Sequence, residues 1–314
     1  KILAKLDIAE RRLPQDGRIK VQAAKGPSVD LRVSVLPTLF GEKIVMRILD
    51  KSNLKLDMTK LGLDEQDLNI LRERINDPQG MVLVTGPTGS GKTTTLYSAL
   101  QSINDPQLNI CTAEDPVEFN LDGINQVQTN AEIDFGFAEA LRSFLRQDPD
   151  IILVGEIRDL ETAEIAFKAA ATGHLVLSTL HTNDAPATVA RLIDIGVAPY
   201  LITSTVSLIV AQRMVGRICS KCANTQRVDD KVLIAAGLTQ EELGTFELMR
   251  GEGCSYCSGT GIKGRVGVFE LMPMSHGLRE AILAGASPLE IKQAAINGGM
   301  RSLRAAALSP VTAR

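Results

Sequence analysis

The segment formed by residues 86–93 reads Gly-Pro-Thr-Gly-Ser-Gly-Lys-Thr and matches the phosphate-loop pattern G-x-x-x-x-G-K-[ST]. Its glycines allow the backbone to curve around a phosphate chain, and the helix that follows adds positive potential at its N-terminus. A glycine-rich turn without a ligand is the alternative, but an apolar strand enters the motif and a helix leaves it, as the pattern requires. We therefore expect nucleotide phosphates to contact Gly86, Pro87, Thr88, Gly89, Ser90, Gly91, Lys92, Thr93 and Thr94. Within this set, Lys92 should reach the β and γ phosphates and Thr93 should hold Mg²⁺.

Two further segments place carboxylates where apolar strands end. One strand is followed by Gly155 and Glu156, and another is followed by the acidic stretch 114–118, which contains Glu114 and Glu118. Ligands of open α/β sheets collect at such strand ends, and an NTPase needs a carboxylate to orient the attacking water. A solvated turn residue is the alternative, and it fits Glu118 best and Glu156 least.

Four of the five cysteines form two Cys-x-x-Cys pairs, Cys219 with Cys222 and Cys254 with Cys257. Together they could place four thiolates on one tetrahedral Zn²⁺ in a closed, structural site. The pairs are further apart than in the usual zinc ribbon, so a helical insertion is predicted over residues 232–243. Four unpaired thiols or a redox motif are the alternatives, and the presence of two pairs argues against both.

Taken together, these motifs resemble those of the secretion ATPases that drive type II secretion and type IV pilus extension. The resemblance runs from about residue 6 to about residue 303. It rests on a phosphate loop at 86–97, an aspartate box at 114–118, an atypical Walker B motif at 148–159, a histidine box at 173–183 and a domain start at 14–18.

The resemblance implies roles for several residues. Glu156 is expected to activate the attacking water, while Glu114 and Glu118 help to place Mg²⁺. Because Gly155 stands where many phosphate-loop ATPases carry Asp, the metal is expected to be held through water. Arginines of the preceding domain are implied to clamp the γ-phosphate, the alternative for each being a solvated strand residue. These arginines are Arg18, Arg32 and Arg47, with Arg158 and Arg191 as candidates for contacts between subunits.

His174 and His181 lie in the segment that resembles the histidine box. Their spacing along a strand and its exit could bring both near nucleotide phosphates or near a neighbouring subunit. A hydrogen-bonded histidine packed against the sheet is the alternative, and neither residue is assigned to a metal. The cysteine quartet is a feature of the export-type members of the family, whereas pilus-retraction ATPases characteristically lack it.

Length and composition limit the remaining possibilities. The chain has 314 residues, with 37 acidic and 34 basic side chains and a formal net charge of −3. At about 150 residues per domain, two domains are expected, and the charge balance does not favour a protein that wraps nucleic acid. No run of residues approaches the ~20 apolar residues that a membrane-spanning helix needs.

Apolar strand runs alternate with helices after residue 60, which indicates a parallel α/β sheet covered on both faces. Helices are also predicted at the start of the chain and over residues 200–212. The predicted organisation is a small α/β (second N-terminal, PAS-like) domain at 1–50, a linker at 51–60, a RecA-like P-loop NTPase core at 61–215, a Cys₄ zinc module at 216–265 and a C-terminal helical region at 266–314. Since the chain opens on Lys1, N-terminal sequence is expected to be missing, and the C-terminus is expected to be truncated or rearranged.

The resemblance implies a hexameric motor that uses ATP, releases ADP, and requires Mg²⁺ and a structural Zn²⁺. It would extend a pilus or assemble the pseudopilus of type II secretion, working in the cytoplasm at the inner membrane with a platform protein there. One alternative is another ring ATPase of the DNA-translocating or conjugation type. A second is a nucleotide-gated assembly scaffold with little turnover.

Overall fold

Two units are present in the computed structural model, which describes residues 1–21, 29–49 and 56–312. The first unit contains the described part of residues 1–55 together with residues 117–120, and the second contains residues 56–116 and the chain from 121 onward. Residues 51–55 of the predicted linker lie outside the described residues. The rest of that segment includes a short 3₁₀ helix, Met58–Lys60.

The first unit is an antiparallel sheet of three strands in the order β1-β2-β3. The strands are β1 (Gln15–Val21), β2 (Val29–Thr38) and β3 (Gly41–Leu49). A small core forms where Ala4 covers Val33 and Val35 of the central strand. The helix predicted at the start of the chain is wrong beyond the 3₁₀ turn Ile2–Ala4, because Lys5 takes a left-handed conformation with φ of 57° and ends it.

The second unit is built on a seven-stranded sheet with helices on its faces. Its strands are β4 (Gly80–Thr85), β5 (Ile110–Glu114), β6 (Asn125–Gln128), β7 (Ile151–Val154), β8 (Leu175–Leu180), β9 (Val206–Ile218) and β12 (Ile262–Pro273), and a separate ribbon pairs β10 (Ala223–Thr225) with β11 (Met249–Gly251). The sheet order is β12-β9-β4-β8-β7-β5-β6, and every pair is parallel except β12 with β9.

Ten α-helices are described in this unit. They are α1 (Glu65–Ile75), α2 (Lys92–Ile103), α3 (Phe137–Phe144), α4 (Leu160–Ala171), α5 (Ala185–Ile195), α6 (Pro199–Thr205), α7 (Asp230–Ala236), α8 (His276–Leu283), α9 (Pro288–Asn297) and α10 (Leu303–Thr312). Among the described residues, none of the helices has both the length and the apolar character needed to cross a bilayer.

Both faces of the central strands are buried. Met81 and Leu83 belong to a core cluster that includes residues of α3, α4, α5 and α6. Val82 and Val84, which point to the opposite face because side chains alternate along a strand, are each 1% exposed. Fully buried strands carry continuous apolar runs for this reason, and the predicted parallel α/β fold is confirmed.

The sequence prediction differs from the structure beyond residue 205. The helix predicted over 200–212 is wrong from Val206 onward, where β9 begins between β4 and β12. A continuous apolar run has no period that separates a buried strand from a buried helix. The helix predicted over 232–243 ends at Ala236, because Gly237 follows with φ of 108°.

The domain limits predicted at 215/216 and at 265/266 fall inside β9 and β12 respectively. These two strands pair with each other and extend the central sheet, so residues 262–273 are strand and not part of a helical region. The rest of the predicted C-terminal helical region contains the helices α8 and α9.

Candidate nucleotide site and cysteine cluster

The phosphate-loop motif connects β4 to α2 at the carboxyl end of the sheet. Gly86, Gly89 and Gly91 have φ of 149°, 78° and 90°, a region that L side chains rarely adopt. A Cβ on Gly86 would lie 2.5 Å from the backbone oxygen of Gln212, so close packing against β9 also requires glycine there. A Cβ on Gly89 would meet nothing within 4 Å, which shows that the crest of the loop faces open space.

Donors suited to phosphate are present in this loop. The Nζ of Lys92 donates to the backbone oxygens of Gly86 at 2.8 Å and Pro87 at 3.3 Å. Burial lowers the pKa of Lys92, and the negative charge of Glu156 opposes that shift. The hydroxyl of Ser90 is buried and has no hydrogen-bond partner within the described parts of the chain.

An orphaned buried hydroxyl, an ammonium group and the free N–H groups of a helix N-terminus fit a phosphate chain. Thr93 and Thr94 lie half-buried in the first turn of α2. A hydroxyl is an oxygen ligand of the kind that Mg²⁺ accepts, so Thr93 also fits the predicted metal contact.

A cluster of charged residues lies at the ends of neighbouring strands. Glu156 follows β7, and its side chain is 17% exposed. It pairs with Arg158, and one of its oxygens lies 3.4 Å from the Nε2 of His181, which follows β8. Arg158 also lies 3.6 Å from Asp115, and its hydrogen bond to Glu156 raises the pKa of its guanidinium. The carboxylate predicted to act on water therefore lies among charged side chains at the carboxyl ends of neighbouring parallel strands.

Glu114 occupies a different environment. It is the last residue of β5 and is 4% exposed. Its carboxylate accepts hydrogen bonds from the hydroxyls of Tyr97 and Thr112 and from the amide of Gln126, the last at 3.0 Å. Both oxygens are therefore engaged by protein donors, and the contacts fix α2 and β6 to β5. Glu118 is half-buried and belongs to the first unit.

The two histidines lie at opposite edges of the sheet. His174 precedes β8, and its backbone oxygen accepts from Gly80 at the start of β4. Its Nδ1 lies 3.0 Å from the backbone oxygen of Ala169. The phosphate loop follows the other end of β4, so the structure does not bring His174 to the loop of its own chain. His181 lies on the correct edge, beside Glu156.

The three predicted arginines form a row across the sheet of the first unit. Arg18 is the register partner of Arg32, and Arg32 is the partner of Arg47. Partners in register share a face of the sheet, and like charges directly opposite each other are destabilising. A row of this kind is suited to an anion that offsets the repulsion. Arg191, the remaining candidate, is an exposed residue of α5 in the second unit.

The four cysteine sulfurs lie within 4.8 Å of one another. The Sγ atoms of Cys219 and Cys254 are 3.8 Å apart, and those of Cys222 and Cys257 are also 3.8 Å apart. A tetrahedral zinc ion with Zn–S bonds of about 2.3 Å requires sulfur separations of about 3.8 Å. Backbone N–H groups point at two of the sulfurs, including that of Gly261 to Cys257 at 3.2 Å. The geometry therefore fits a closed Cys₄ zinc site.

The family model described as Type II/IV secretion system protein matches residues 1–314. The chain belongs to this family. It is 61% identical over 309 residues to the type IV pilus assembly ATPase PilB of Myxococcus xanthus, covering 98% of this chain and 55% of that protein. It is 46% identical over 293 residues to the type II secretion system protein E of Aeromonas hydrophila, covering 93% and 58%. The chain thus spans a little more than half the length of these relatives.

Solved structures of similar fold agree with this membership. The pilus retraction motor PilT with bound ADP has a TM-score of 0.66 and 27% identity, covering 93% of this chain and 71% of that chain. The ATPase DotB of Yersinia pseudotuberculosis has a TM-score of 0.63 and 25% identity, covering 91% and 67%. The resemblance to secretion ATPases seen in the sequence is confirmed.

The sequence analysis missed one residue that contacts the phosphate loop of this secretion-system family member. Gln212 of β9 is 1% exposed, and its side chain contacts both the phosphate loop and α2. Because residues 200–212 were predicted to form a helix, Gln212 was not recognised as a neighbour of the loop. The available signal was a single amide at the end of the apolar run 208–211, where a buried polar group needs a partner.

We expect about one zinc equivalent per chain when the protein is purified without added metal, since one closed Cys₄ site holds one ion. Elemental analysis measures this directly. Cys222→Ser should lose the metal and lower the melting temperature, because metal binding at such a site contributes folding free energy. Cys111→Ala is the matched control, since this cysteine lies buried in β5. Metal-free parent protein with four reactive thiols would contradict the assignment.

Proposed function

We propose that this chain carries the motor of an ATPase that hydrolyses ATP with Mg²⁺ to power type IV pilus assembly. The observation that carries the proposal is the shared edge of the sheet, where the phosphate loop and the Glu156 cluster both lie at carboxyl ends of parallel strands. Hydrolysis of ATP depends mainly on positioned charge. Lys92 binds phosphate, Thr93 holds the metal, and Glu156 takes the proton of the attacking water.

The names of the relatives indicate which machine this motor would drive. The protein with 61% identity is named a pilus assembly ATPase, and the one with 46% identity a type II secretion protein. Pilus assembly is therefore the first choice and assembly of a type II pseudopilus the second. In either machine, the chain would act as a hexamer at the cytoplasmic side of the inner membrane, with a platform protein as its partner.

Phosphate release by the purified protein tests the proposal. Release that requires both ATP and Mg²⁺, at a rate that added double-stranded DNA leaves unchanged, is the expected result. Stimulation by DNA would favour a DNA-translocating ring ATPase instead. ATP binding without release above the background of a Lys92→Ala variant would favour a nucleotide-gated scaffold.

The arginine row is proposed to bind the γ-phosphate. Three aligned guanidinium groups on the first unit offer more positive charge than a single side chain can, and ADP lacks the phosphate that would hold them. ATP would then favour the arrangement in which the row is engaged, and hydrolysis would release it. Glu118, carried by the same unit, is proposed to assist the metal through water.

Arg18→Ala and Arg32→Ala are each expected to lower the turnover of ATP at least about tenfold, because charge on the transferring phosphate is no longer offset. The dissociation constant for ADP should change less than about threefold, because ADP lacks the γ-phosphate that the row would bind. Turnover and ADP titration are measured together. Lys43→Ala, an exposed cation of β3 outside the row, is the control. Parent-like turnover in both arginine variants would show that the row does not serve catalysis.

A further inference from the structure

The strand β9 borders β4 on the side away from β8 and reaches the phosphate loop where β4 ends. Residues 208–211 of this strand are fully buried and apolar, and Ala211 is the register partner of Thr85. Gln212 is the next residue. It is only 1% exposed, and its side-chain amide lies directly beneath the loop. Burying an amide is costly unless its donor and its acceptor are both satisfied.

Both ends of this amide are engaged by the nucleotide-binding segment. Its Nε2 donates to the backbone oxygen of Ser90 at 2.7 Å, and its Oε1 accepts from the hydroxyl of Thr95 at 2.9 Å. Ser90 lies in the loop and Thr95 in the first turns of α2. One side chain from a distant part of the sequence therefore joins the two segments that must surround a phosphate chain.

The first of these bonds also determines the direction of a peptide group. A trans peptide is planar, and its C=O and N–H point in opposite directions. Because the oxygen of Ser90 is turned toward Gln212, the N–H of Gly91 in the same peptide points away from β9. Gly91 is the N-cap of α2, so this N–H is one of the helix-terminal donors available to a bound anion.

We propose that Gln212 is a positioning residue for the nucleotide site, with its amide fixing the Ser90–Gly91 peptide so that the N–H of Gly91 faces the phosphates. The inference rests on the proposed binding of nucleotide at this loop. Glutamine suits the position because it supplies a donor and an acceptor at the required reach. Glutamate would set a second acceptor against the oxygen of Ser90, and asparagine is shorter by one methylene.

The test measures ADP affinity by titration with fluorescently labelled ADP, alongside the melting temperature without nucleotide. Gln212→Met keeps the volume and removes both hydrogen bonds, and we expect the dissociation constant to rise about tenfold. Gln212→Glu should bind ADP at least as weakly as Gln212→Met. Thr95→Val removes only the bond to α2 and should change the constant less than about threefold.

Thr205→Val is the matched control for stability. It loses one part-buried hydrogen bond, from its hydroxyl to the backbone oxygen of Leu201 at 2.6 Å, just before β9 begins. It should lower the melting temperature and leave ADP affinity within about twofold, since it does not touch the loop.

The outcomes separate the two proposals. If the parent protein binds no ADP, the proposed function and this inference both fail. If the parent binds ADP and a folded Gln212→Met variant binds it equally well, only the positioning role is overturned. Equal losses in Thr95→Val and Gln212→Met would also overturn it, because the bond to Ser90 would then contribute nothing. If Gln212→Met does not fold, the comparison of Gln212→Glu with Thr95→Val decides in the same way.

Discussion

Replacing Glu156 with glutamine is expected to lower the kcat for ATP hydrolysis at least about 100-fold, the scale of general base catalysis. Glutamine has almost the same shape but cannot accept the proton of the attacking water. The phosphate loop is unchanged in this variant, so the dissociation constant for ATP should stay within about threefold of the parent value. Phosphate release and nucleotide titration on the same preparation measure the two quantities.

The surroundings of Glu156 supply the control for that experiment. Glu156 pairs with Arg158, so the substitution also removes an ion pair. Glu161→Gln removes an ion pair of the same kind, with Arg142, from an exposed site on α4. This control should keep parent-like turnover. Near-parent hydrolysis by Glu156→Gln would show that another group activates the water.

Replacing Lys92 with alanine is expected to abolish measurable hydrolysis and to weaken ATP binding at least about 30-fold. Hydrogen bonds to charged groups contribute about 1.5–3 kcal/mol each, and Lys92 is expected to make more than one to the phosphates. Its position inside the curve of the loop, on the backbone oxygens of Gly86 and Pro87, keeps the ammonium where the phosphates would enter.

Thermal unfolding provides a second readout for Lys92→Ala. A ligand that binds the folded state raises the melting temperature by mass action, so ATP should stabilise the parent protein and not the variant. Lys168→Ala, an exposed cation of α4, should respond to ATP as the parent does. A full ATP-dependent shift in Lys92→Ala would contradict the assignment of the loop.

Sequence patterns are sufficient to predict the parts of the fold that are determined by neighbouring residues in the chain. The buried strands β4, β7 and β8 appear as short apolar runs between turn residues, and the glycines of the phosphate loop identify the turn after β4. The strands β9 and β12 are different. The apolar run that begins β9 suits a buried helix equally well, and β12 starts in a polar, glycine-rich stretch. Their pairing with each other and with β4 decides their structure, and that is a long-range contact.

The candidate site shows the same division. The roles predicted for Lys92 and Glu156 rest on a local motif and on the end of an apolar strand. The separation of His174 from the loop could not be predicted in this way. His174 and His181 lie at opposite ends of β8, which has six residues. The burial of Glu114 under Tyr97 and Gln126 depends on α2 and β6, which no local pattern connects to β5.

The position of β4 between β8 and β9 has a consequence for how the protein is made. The hydroxyl of Thr85 bonds to Leu180, 95 residues later, and the backbone of Met81 accepts from Ser207, 126 residues later. Contacts of such long range slow folding, and a chain emerging from the ribosome supplies its N-terminal part first. The strand leading to the phosphate loop is therefore synthesised early and enclosed late. During translation, we expect the β9 side of that apolar strand to stay unpaired, and therefore open to mispairing, until residue 212 has left the ribosomal tunnel.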